Sequence, residues 1–401
     1  MYKVMAVNAG SSSLKYKLYE MPEEQVICSG IADRIGHEDA LFRIVFQGKK
    51  HEEILPILDH TKGVQLIFDA FMKYGVVHSL DEIKCIGHRI VQGGKYFSKS
   101  VEFNEDTEKK IEELTPLDPL HAPAHLMGFR AFKKALPNAK VIAVFDTAFH
   151  QTMAPEDYLY PIPYEMTEKY QVRRYGAHGT SHNYLANKAI EDYFGGKAEG
   201  TRIISCHIGS GASLCAIKDG KCVATTMGLT CLAGVMMGTR TGDLDPSVMY
   251  YLCQQTGKSV EEMYDIFNKK SGLLGVSGIS NDTRDVEKAA NEGSERAQLA
   301  MRLYARRIAD FIGQYYVRLG GVDLIIFSAG VGENGPAWRA LVLHDVEEAL
   351  GLKIDYEENA KIRGVQGLIS KPESPIKVAV IPTDEEVMIA RDCYKEILGT
   401  L

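Results

Sequence analysis

The sequence predicts an α/β protein built from two similar halves. Apolar runs with strand character alternate along the chain with helical patterns, which is typical of helices packed on a sheet. In addition, a strand, a Gly/Ser turn and a second strand occur twice, roughly 200 residues apart. The chain has 401 residues, which is long enough for two domains. We therefore expect a duplicated fold.

The predicted elements follow from apolar spacing and from the turn residues that flank each run. Strands are predicted at 3–8, 84–91, 140–145, 202–207, 213–218, 323–328 and 377–381. Helices are predicted at 64–74, 122–135, 246–256, 296–318 and 385–398. Three prolines, Pro155, Pro161 and Pro163, follow the strand that ends at Asp146. We place a domain boundary near 147–155.

The composition excludes several classes of function. The net charge of −7 leaves no basic face for nucleic acid. The N-terminal apolar run is too short for a signal peptide, and no run of 18 apolar residues occurs, so we expect a cytoplasmic protein with no membrane partner. The eight cysteines lack Cys-x-x-Cys spacing, which favours reduced thiols.

Three turns rich in small residues are candidates for binding phosphate. The first covers 8–13, the second covers 207–211, and the third, 328–334, follows the apolar run 324–327. Small residues let backbone N–H groups approach an anion. Each turn alone is also explained as a structural hairpin. Three of them in a duplicated α/β protein favour a phosphate site.

Other phosphate-binding motifs do not fit the sequence. Gly-x-x-x-x-Gly-Lys-[Ser/Thr] is absent, and no Gly-x-Gly-x-x-Gly opens a helix after the first strand. P-loop enzymes and dinucleotide-binding oxidoreductases are therefore disfavoured.

Three polar residues are candidates for the chemistry on the residues alone. Asp146 ends an apolar strand, where an acid is either a site residue or a helix cap. Arg89 lies at another strand end and either binds an anion or forms a surface ion pair. His178 lies among small residues, which permits close approach of a substrate but equally suits a structural histidine. These alternatives stay open at this point.

Seven segments together resemble the acetate kinase family of the actin-like ATPase superfamily: 8–15, 87–91, 145–150, 178–182, 237–243, 271–275 and 382–386. The resemblance implies a duplicated actin-like, ribonuclease H-like fold with two domains around a nucleotide cleft. It places 1–150 and 385–401 in the first domain and 151–384, with the nucleotide site, in the second. It also implies a homodimer.

The resemblance implies a short-chain carboxylate kinase. The reaction would convert ATP and acetate, propionate or butyrate to ADP and an acyl phosphate by direct in-line transfer, with Mg²⁺ as cofactor and Mn²⁺ as an alternative ion. A carboxylate is already ionised at neutral pH and needs no general base, so catalysis would be mainly positioning and electrostatics.

The resemblance also assigns roles to residues that match the family's motifs. The catalytic residues would be Asp146, His178, Arg240 and Arg89. The substrate-binding residues would be Arg89, Val91, Leu120, His121, Ala177 and Cys231. The nucleotide-binding residues would be Lys15, His207, Ile208, Gly209, Ser210, Gly211, Asp282, Thr283, Arg284, Gly330, Val331, Gly332, Glu333 and Asn334. The Mg²⁺ ligands would be Asn8 and Glu385, whose oxygens suit a hard cation.

Four positions depart from the family pattern. Ser210 replaces Asn, Ala177 replaces Phe, Cys231 replaces Pro, and Asp384 replaces Asn. Loss of the Phe ring leaves room for acids longer than acetate, so a preference for propionate or butyrate is an alternative. Asp384 either tightens the metal or faces solvent, and we favour solvent.

Two rival functions use the same phosphate hairpins. A sugar or polyol kinase would need a base for its hydroxyl acceptor, whereas two arginines aimed at one acceptor favour a carboxylate. The second rival is not an enzyme: it is an actin-like nucleotide switch, which binds the nucleotide but has no acceptor substrate.

Overall fold

The computed structural model describes residues 1–10, 12–119 and 121–401. The chain forms two compact units. Unit 1 contains Met1–Phe149 and Asp384–Leu401, and unit 2 contains His150–Thr383. Within the described ranges, every helix is too short or too polar to cross a membrane.

The described strands, in chain order, are β1 (Tyr2–Ala9), β2 (Ser13–Met21), β3 (Gln25–Asp33), β4 (His37–Phe46), β5 (Lys49–Ile57), β6 (Ile83–Ile90), β7 (Val101–Glu102), β8 (Lys140–Phe145), β9 (Arg202–Ile208), β10 (Ala212–Lys218), β11 (Lys221–Thr225), β12 (Leu324–Ser328), β13 (Gly367–Leu368) and β14 (Lys377–Val380).

The described α-helices are α1 (His60–Lys73), α2 (Glu105–Glu113), α3 (Ala122–Ala135), α4 (Pro155–Tyr158), α5 (Tyr164–Tyr170), α6 (Gly179–Phe194), α7 (Pro246–Thr256), α8 (Val260–Lys269), α9 (Gly272–Ser277), α10 (Thr283–Asn291), α11 (Glu295–Leu319), α12 (Ala329–Asn334), α13 (Pro336–Leu350), α14 (Tyr356–Lys361) and α15 (Glu385–Leu398). Short 3₁₀ turns occur at Leu80–Glu82, Thr115–Leu117 and Ala148–Thr152.

Every strand and helix predicted from the sequence is present, with ends that differ by at most four residues. The prediction omitted several elements, among them β3–β5. Most side chains of β5 are exposed, so that strand lacks the apolar pattern that identifies a buried one.

The two units repeat one sheet topology. The sheet of unit 1 has the order β5-β4-β3-β2-β1-β6-β8-β7, and that of unit 2 has the order β11-β10-β9-β12-β14-β13. In each unit, one central strand pairs antiparallel with the strand that follows it and parallel with a later strand: β1 with β2 and β6, and β9 with β10 and β12. The repeat inferred from the two Gly/Ser hairpins is therefore a repeat of topology as well.

The sheet of unit 2 is deeply buried. All of β12 and nearly all of β9 and β10 are inaccessible to solvent. The 25-residue helix α11 covers this sheet; Ser294 caps its start, and Gly320 ends it with φ of 69°, a conformation that favours glycine.

In unit 1, a glycine lets α15 approach β6 closely. A Cβ at Gly87 would lie 2.3 Å from Ile389 Cγ2 and 2.8 Å from Cys393 Sγ, so any larger residue would push the helix away. The contact brings Glu385, the first residue of α15, close to Arg89 on β6.

Candidate active site

Arg89 of unit 1 lies between two carboxylates. β6 and β8 are parallel neighbours, so Arg89 and Asp146 lie at the same edge of the sheet. Arg89 Nη2 donates to Asp146 Oδ2 at 2.5 Å, and Arg89 Nε is 3.6 Å from Glu385 Oε2. The Asp146 side chain is fully buried, and that of Arg89 is 18% exposed. The guanidinium therefore offers a cation at a buried, acidic edge.

The acidic side of this cluster has the character of a cation site. Burial, and to a smaller extent the Asp146 carboxylate, raises the pKa of Glu385 to about 7 against the opposing effect of Arg89. A metal ion beside these oxygens would relieve that repulsion. Asn8 follows Val7, which pairs with His88 on the parallel strand β6, so the backbone of Asn8 lies beside that of Arg89. Carboxylate and amide oxygens are the donor types that suit Mg²⁺.

The backbone of Val91 is held by a hydrogen bond to His125, a residue that the sequence analysis did not single out. The Val91 backbone N–H donates to Nε2 of His125 at 3.4 Å. Burial holds the pKa of His125 well below its usual range, so the ring is neutral and can accept a hydrogen bond.

Among the other predicted substrate residues, His121 forms a 2.6 Å contact from Nδ1 to Asp118 Oδ1. Leu120, predicted to bind substrate, and Ser11 of the first turn lie outside the described residues.

Asp384 caps a helix instead of facing only solvent. Its carboxylate accepts from the backbone N–H of Val387 at 3.1 Å, at the start of α15. It also accepts from Lys17 Nζ at 3.3 Å. The cap holds the first turn of the helix that carries Glu385.

In unit 2, His178 has a fixed and unusual backbone position. Its φ of 57° lies in the left-handed region, immediately before α6. Its Nδ1 is 2.8 Å from Ser213 Oγ, and its ring stacks on His207 at 4.2 Å between centroids. The Ser213 hydroxyl also lies 2.8 Å from Nε2 of the buried His182. Backbone strain with locked side-chain contacts is typical of functional sites.

Arg240 and His178 meet at the second phosphate turn. A Cβ at Gly211 would lie 3.3 Å from Arg240 Nη1 and 3.6 Å from His178 Nε2, so only glycine leaves this space open. Arg240 Nη1 also donates to the Cys231 carbonyl at 3.2 Å. Four of the predicted residues, His178, Gly211, Cys231 and Arg240, are therefore brought together within unit 2.

Ala177 lies almost wholly inside unit 2. Its side chain belongs to the hydrophobic core, and the residue is 3% exposed. Its carbonyl accepts a hydrogen bond from His150 Nε2 at 3.0 Å. This bond fixes the backbone immediately before His178.

A cavity of about 910 Å³ in unit 2 is large enough for a nucleotide. Eight predicted nucleotide residues line it: Gly209, Ser210, Asp282, Thr283, Arg284, Gly330, Val331 and Asn334. A Cβ at Gly330 would have nothing within 4 Å, so this part of the cavity is open. Arg284 forms an ion pair of 2.6 Å with Asp282, which caps α10.

The other predicted nucleotide residues do not line this cavity. His207, Ile208 and Gly332 are buried in unit 2, and Lys15 is exposed on β2 in unit 1. Glu333 accepts hydrogen bonds from the Ala329 N–H at 2.7 Å and the Thr383 N–H at 3.1 Å. Its carboxylate thus shapes the third turn, where Ala329 adopts φ of 63°.

Sequence reasoning missed several residues of the site. Trp338, the one tryptophan of the chain, lines the cavity and donates from Nε1 to Glu287 at 2.9 Å. Gly238 and Asn281 also line it. Gly238 belongs to the 237–243 segment that carries the family resemblance, but the resemblance assigns a role there only to Arg240. Trp338 carried no motif signal, since a lone Trp within a helix is usually a core residue.

Comparison with known proteins identifies the family. The sequence model of the acetokinase family matches residues 3–391. The acetate kinase of Geobacillus kaustophilus (strain HTA426) is 52% identical over 395 residues, covering 98% of this chain and 99% of that protein.

Solved structures agree. The acetate kinase of Porphyromonas gingivalis is 44% identical with a TM-score of 0.94, covering 99% of this chain and 100% of that one. A propionate kinase from Francisella tularensis subsp. tularensis SCHU S4 is 37% identical with a TM-score of 0.92, covering 98% and 99%. The duplicated actin-like fold and the family resemblance are thereby confirmed: the chain belongs to the acetokinase family of ATP-dependent carboxylate kinases.

Proposed function

We propose that this chain transfers the γ-phosphoryl group of ATP to acetate and runs the reverse reaction from acyl phosphate and ADP. One observation carries the proposal. The second phosphate turn lines the nucleotide cavity with Gly209 and Ser210, and its next residue, Gly211, adjoins Arg240 and His178. The phosphate end of a nucleotide in this cavity would therefore lie beside a fixed cation and a histidine.

Unit 2 supplies the groups for the migrating phosphoryl. Arg240 neutralises charge on its equatorial oxygens, and His178 Nε2 hydrogen-bonds one of them. Ser213 at Nδ1 and the stacked His207 ring hold the imidazole in place. These groups act by position and charge, since a carboxylate nucleophile arrives without a proton to remove.

Unit 1 supplies the acceptor site. Arg89 binds the carboxylate, Asp146 holds the guanidinium, and Val91 and His121 contribute to the wall. Asn8 and Glu385 would hold Mg²⁺, since amide and carboxylate oxygens are the donors that this ion prefers. When bound, the ion neutralises charge on the nucleotide phosphates.

A preference for propionate or butyrate is the second candidate for the acceptor. It is favoured by Ala177, where the family resemblance implies a Phe, and by the likeness to a solved structure of a propionate kinase. Steady-state kcat/KM for acetate, propionate and butyrate decides between the two. A rise from acetate to propionate selects the second candidate, and a steep fall selects acetate.

The reaction itself is tested by trapping the acyl phosphate with hydroxylamine in the presence of ATP, Mg²⁺ and acetate. We expect hydroxamate in the wild type and at least about 100-fold less in Arg240→Ala. ATP hydrolysis that does not depend on a carboxylate would instead support the nucleotide switch.

We propose that the protein acts in the cytoplasm as a homodimer. The 11-residue helix α7 of unit 2 buries no side chain, and Tyr250 and Tyr251 on it are 72% and 61% exposed. Such an apolar surface is typical of an interface. Light scattering after size exclusion tests this proposal: we expect a dimer, and a monomer at micromolar concentration would contradict it.

A further inference from the structure

The geometry points to a buried thiolate–imidazole site for a zinc-class ion, formed by His150 Nδ1, Cys215 Sγ and Cys222 Sγ of unit 2. These three donor atoms all lie within 4.8 Å of one another. His150 Nδ1 is 3.2 Å from Cys222 Sγ, and the two sulfurs are 3.4 Å apart. None of the three residues takes part in the proposed phosphoryl transfer.

Two of the three donor separations, 3.2 Å and 3.4 Å, are close to those of a tetrahedral zinc site. With Zn–S near 2.3 Å and Zn–N near 2.0–2.1 Å, the edges of the tetrahedron are about 3.8 Å between sulfurs and about 3.6 Å between sulfur and nitrogen. In these two pairs the donors would move apart by about 0.4 Å to admit the ion, and the third pair, His150 Nδ1 and Cys215 Sγ, lies within 4.8 Å. Both cysteines are free thiols on adjacent strands, β10 and β11, so the backbone holds them together.

The histidine is oriented as a metal ligand requires. His150 Nε2 must donate to the Ala177 carbonyl, 3.0 Å away, because a carbonyl oxygen only accepts. This bond turns Nδ1 toward the two sulfurs. Metal-bound histidines typically donate their second N–H to such an oxygen, which fixes the tautomer. The Thr152 hydroxyl also donates to the Cys222 carbonyl at 2.7 Å and holds the second ligand's backbone.

Charge and burial select the ion. His150, Cys215 and Cys222 are at most 1% exposed, so an uncompensated charge would be costly there. Two thiolates and a neutral imidazole balance a divalent ion completely. Sulfur donors favour Zn²⁺, Cd²⁺ or Co²⁺ over Mg²⁺, which prefers oxygen.

We propose that the ion enters by local opening of β11. This strand has five residues and is the edge strand of its sheet, paired only with β10 among the described strands. Edge strands open locally at lower free energy than central ones. Once bound, the ion would fix the His150 ring and, through the Ala177 carbonyl, the backbone that leads into His178.

The test uses the full chain, reduced with a phosphine and stripped with EDTA, without nucleotide or Mg²⁺. Zn²⁺ is titrated in competition with a chromogenic chelator, and Co²⁺ is added separately to detect thiolate-to-metal absorption bands. We expect one tightly held ion per chain. Cys215→Ser and Cys222→Ser should each bind at least about 100-fold more weakly, since loss of an outer-shell partner alone costs 10–100-fold. Cys206→Ser, a matched buried thiol on β9, and Cys253→Ser should bind as the wild type does.

X-ray absorption of the zinc-loaded wild type keeps the test independent of how the variants fold. Two sulfurs and one nitrogen in the first shell support the site and distinguish it from the oxygen donors of unit 1. A shell of oxygen and nitrogen only, no retained ion, or unchanged affinity in Cys215→Ser and Cys222→Ser would overturn the inference.

Discussion

Arg89 donates a 2.5 Å hydrogen bond to the fully buried carboxylate of Asp146. The pair joins two neighbouring parallel strands at one edge of the unit 1 sheet. The Asp146 carboxylate thereby fixes the orientation of the Arg89 guanidinium. We therefore expect Asp146 to act by holding Arg89 rather than by removing a proton from the acceptor. We also expect the pair to contribute to both stability and catalysis, and the two contributions can be measured separately with single and double variants.

Replacing Arg89 by alanine should impair both properties. Two hydrogen bonds to a charged acceptor contribute about 3–6 kcal/mol, so kcat/KM for acetate should fall by about 10²–10⁴-fold. The buried Asp146 carboxylate then loses its cation, and the free energy of unfolding should fall by about 3–5 kcal/mol. The double variant Arg89→Met with Asp146→Asn should recover stability in urea titrations but not activity. Wild-type activity in Arg89→Ala would refute the acceptor assignment.

Ser213 should matter for catalysis through the orientation of His178. Ser213→Ala removes the hydroxyl at Nδ1, so kcat should fall about tenfold while KM for ATP stays within about twofold. Ser205→Ala is the matched control, because Ser205 bonds His182 at 2.6 Å, one step further from His178. Equal kcat values in the two variants would show that Ser213 does not position the ring.

Trp338 should report nucleotide binding directly. It is the one tryptophan of the chain and lines the cavity, so ATP or ADP should change its fluorescence saturably. Acetate alone should leave the signal unchanged, and Trp338→Phe should abolish it. A flat titration at ATP concentrations that saturate turnover would place the nucleotide elsewhere.

A side chain at Gly330 should obstruct the nucleotide without disturbing the fold. No atom lies within 4 Å of a Cβ built there, and the residue lines the cavity. Gly330→Gln should raise KM for ATP by about tenfold or more, with the melting temperature nearly unchanged. Gly313→Gln in α11 is the matched control, since its Cβ also meets nothing within 4 Å. Equal KM values for the two variants would count against this nucleotide site.

Stability should fall in mild acid partly because of His88. Burial, and to a smaller extent the charge of His60, lower the pKa of His88 to about 3, below the unfolded value near 6.5. The stabilisation is therefore fully present above pH ~6.5 and is lost as the pH falls toward 3, at about 1.4 kcal/mol per pH unit.

The matched variants for this pH effect are His88→Leu and, on an exposed position, His37→Gln. Neither ring nitrogen of His88 has a hydrogen-bond partner among the described residues, so leucine removes the titration and no bond. The free energy of unfolding is measured by urea titration at several pH values between 5 and 7. Its dependence on pH should be shallower for His88→Leu than for the wild type, and unchanged for His37→Gln. The same pH dependence of the free energy of unfolding in all three proteins would contradict the attribution to His88.

Local sequence determined much of this protein. Strand and helix positions were predictable because apolar spacing and turn residues act within one element, as at β12 and α3. The two Gly/Ser hairpins predicted the duplication, since a turn between strands is a local choice. Family motifs then singled out Arg89, Asp146, His178 and Arg240, which the residues alone left ambiguous.

The tertiary structure decided what these residues contact. Only folding brings Ser213 to His178, His125 to Val91, and the start of α15 to Arg89, because each pair lies on separate elements. The cluster of His150, Cys215 and Cys222 was invisible for the same reason: its histidine lies more than 60 residues before its cysteines. Sequence spacing sets local conformation. The distances between side chains on different elements depend instead on how the strands pair and the helices pack, so these contacts form only in the folded chain.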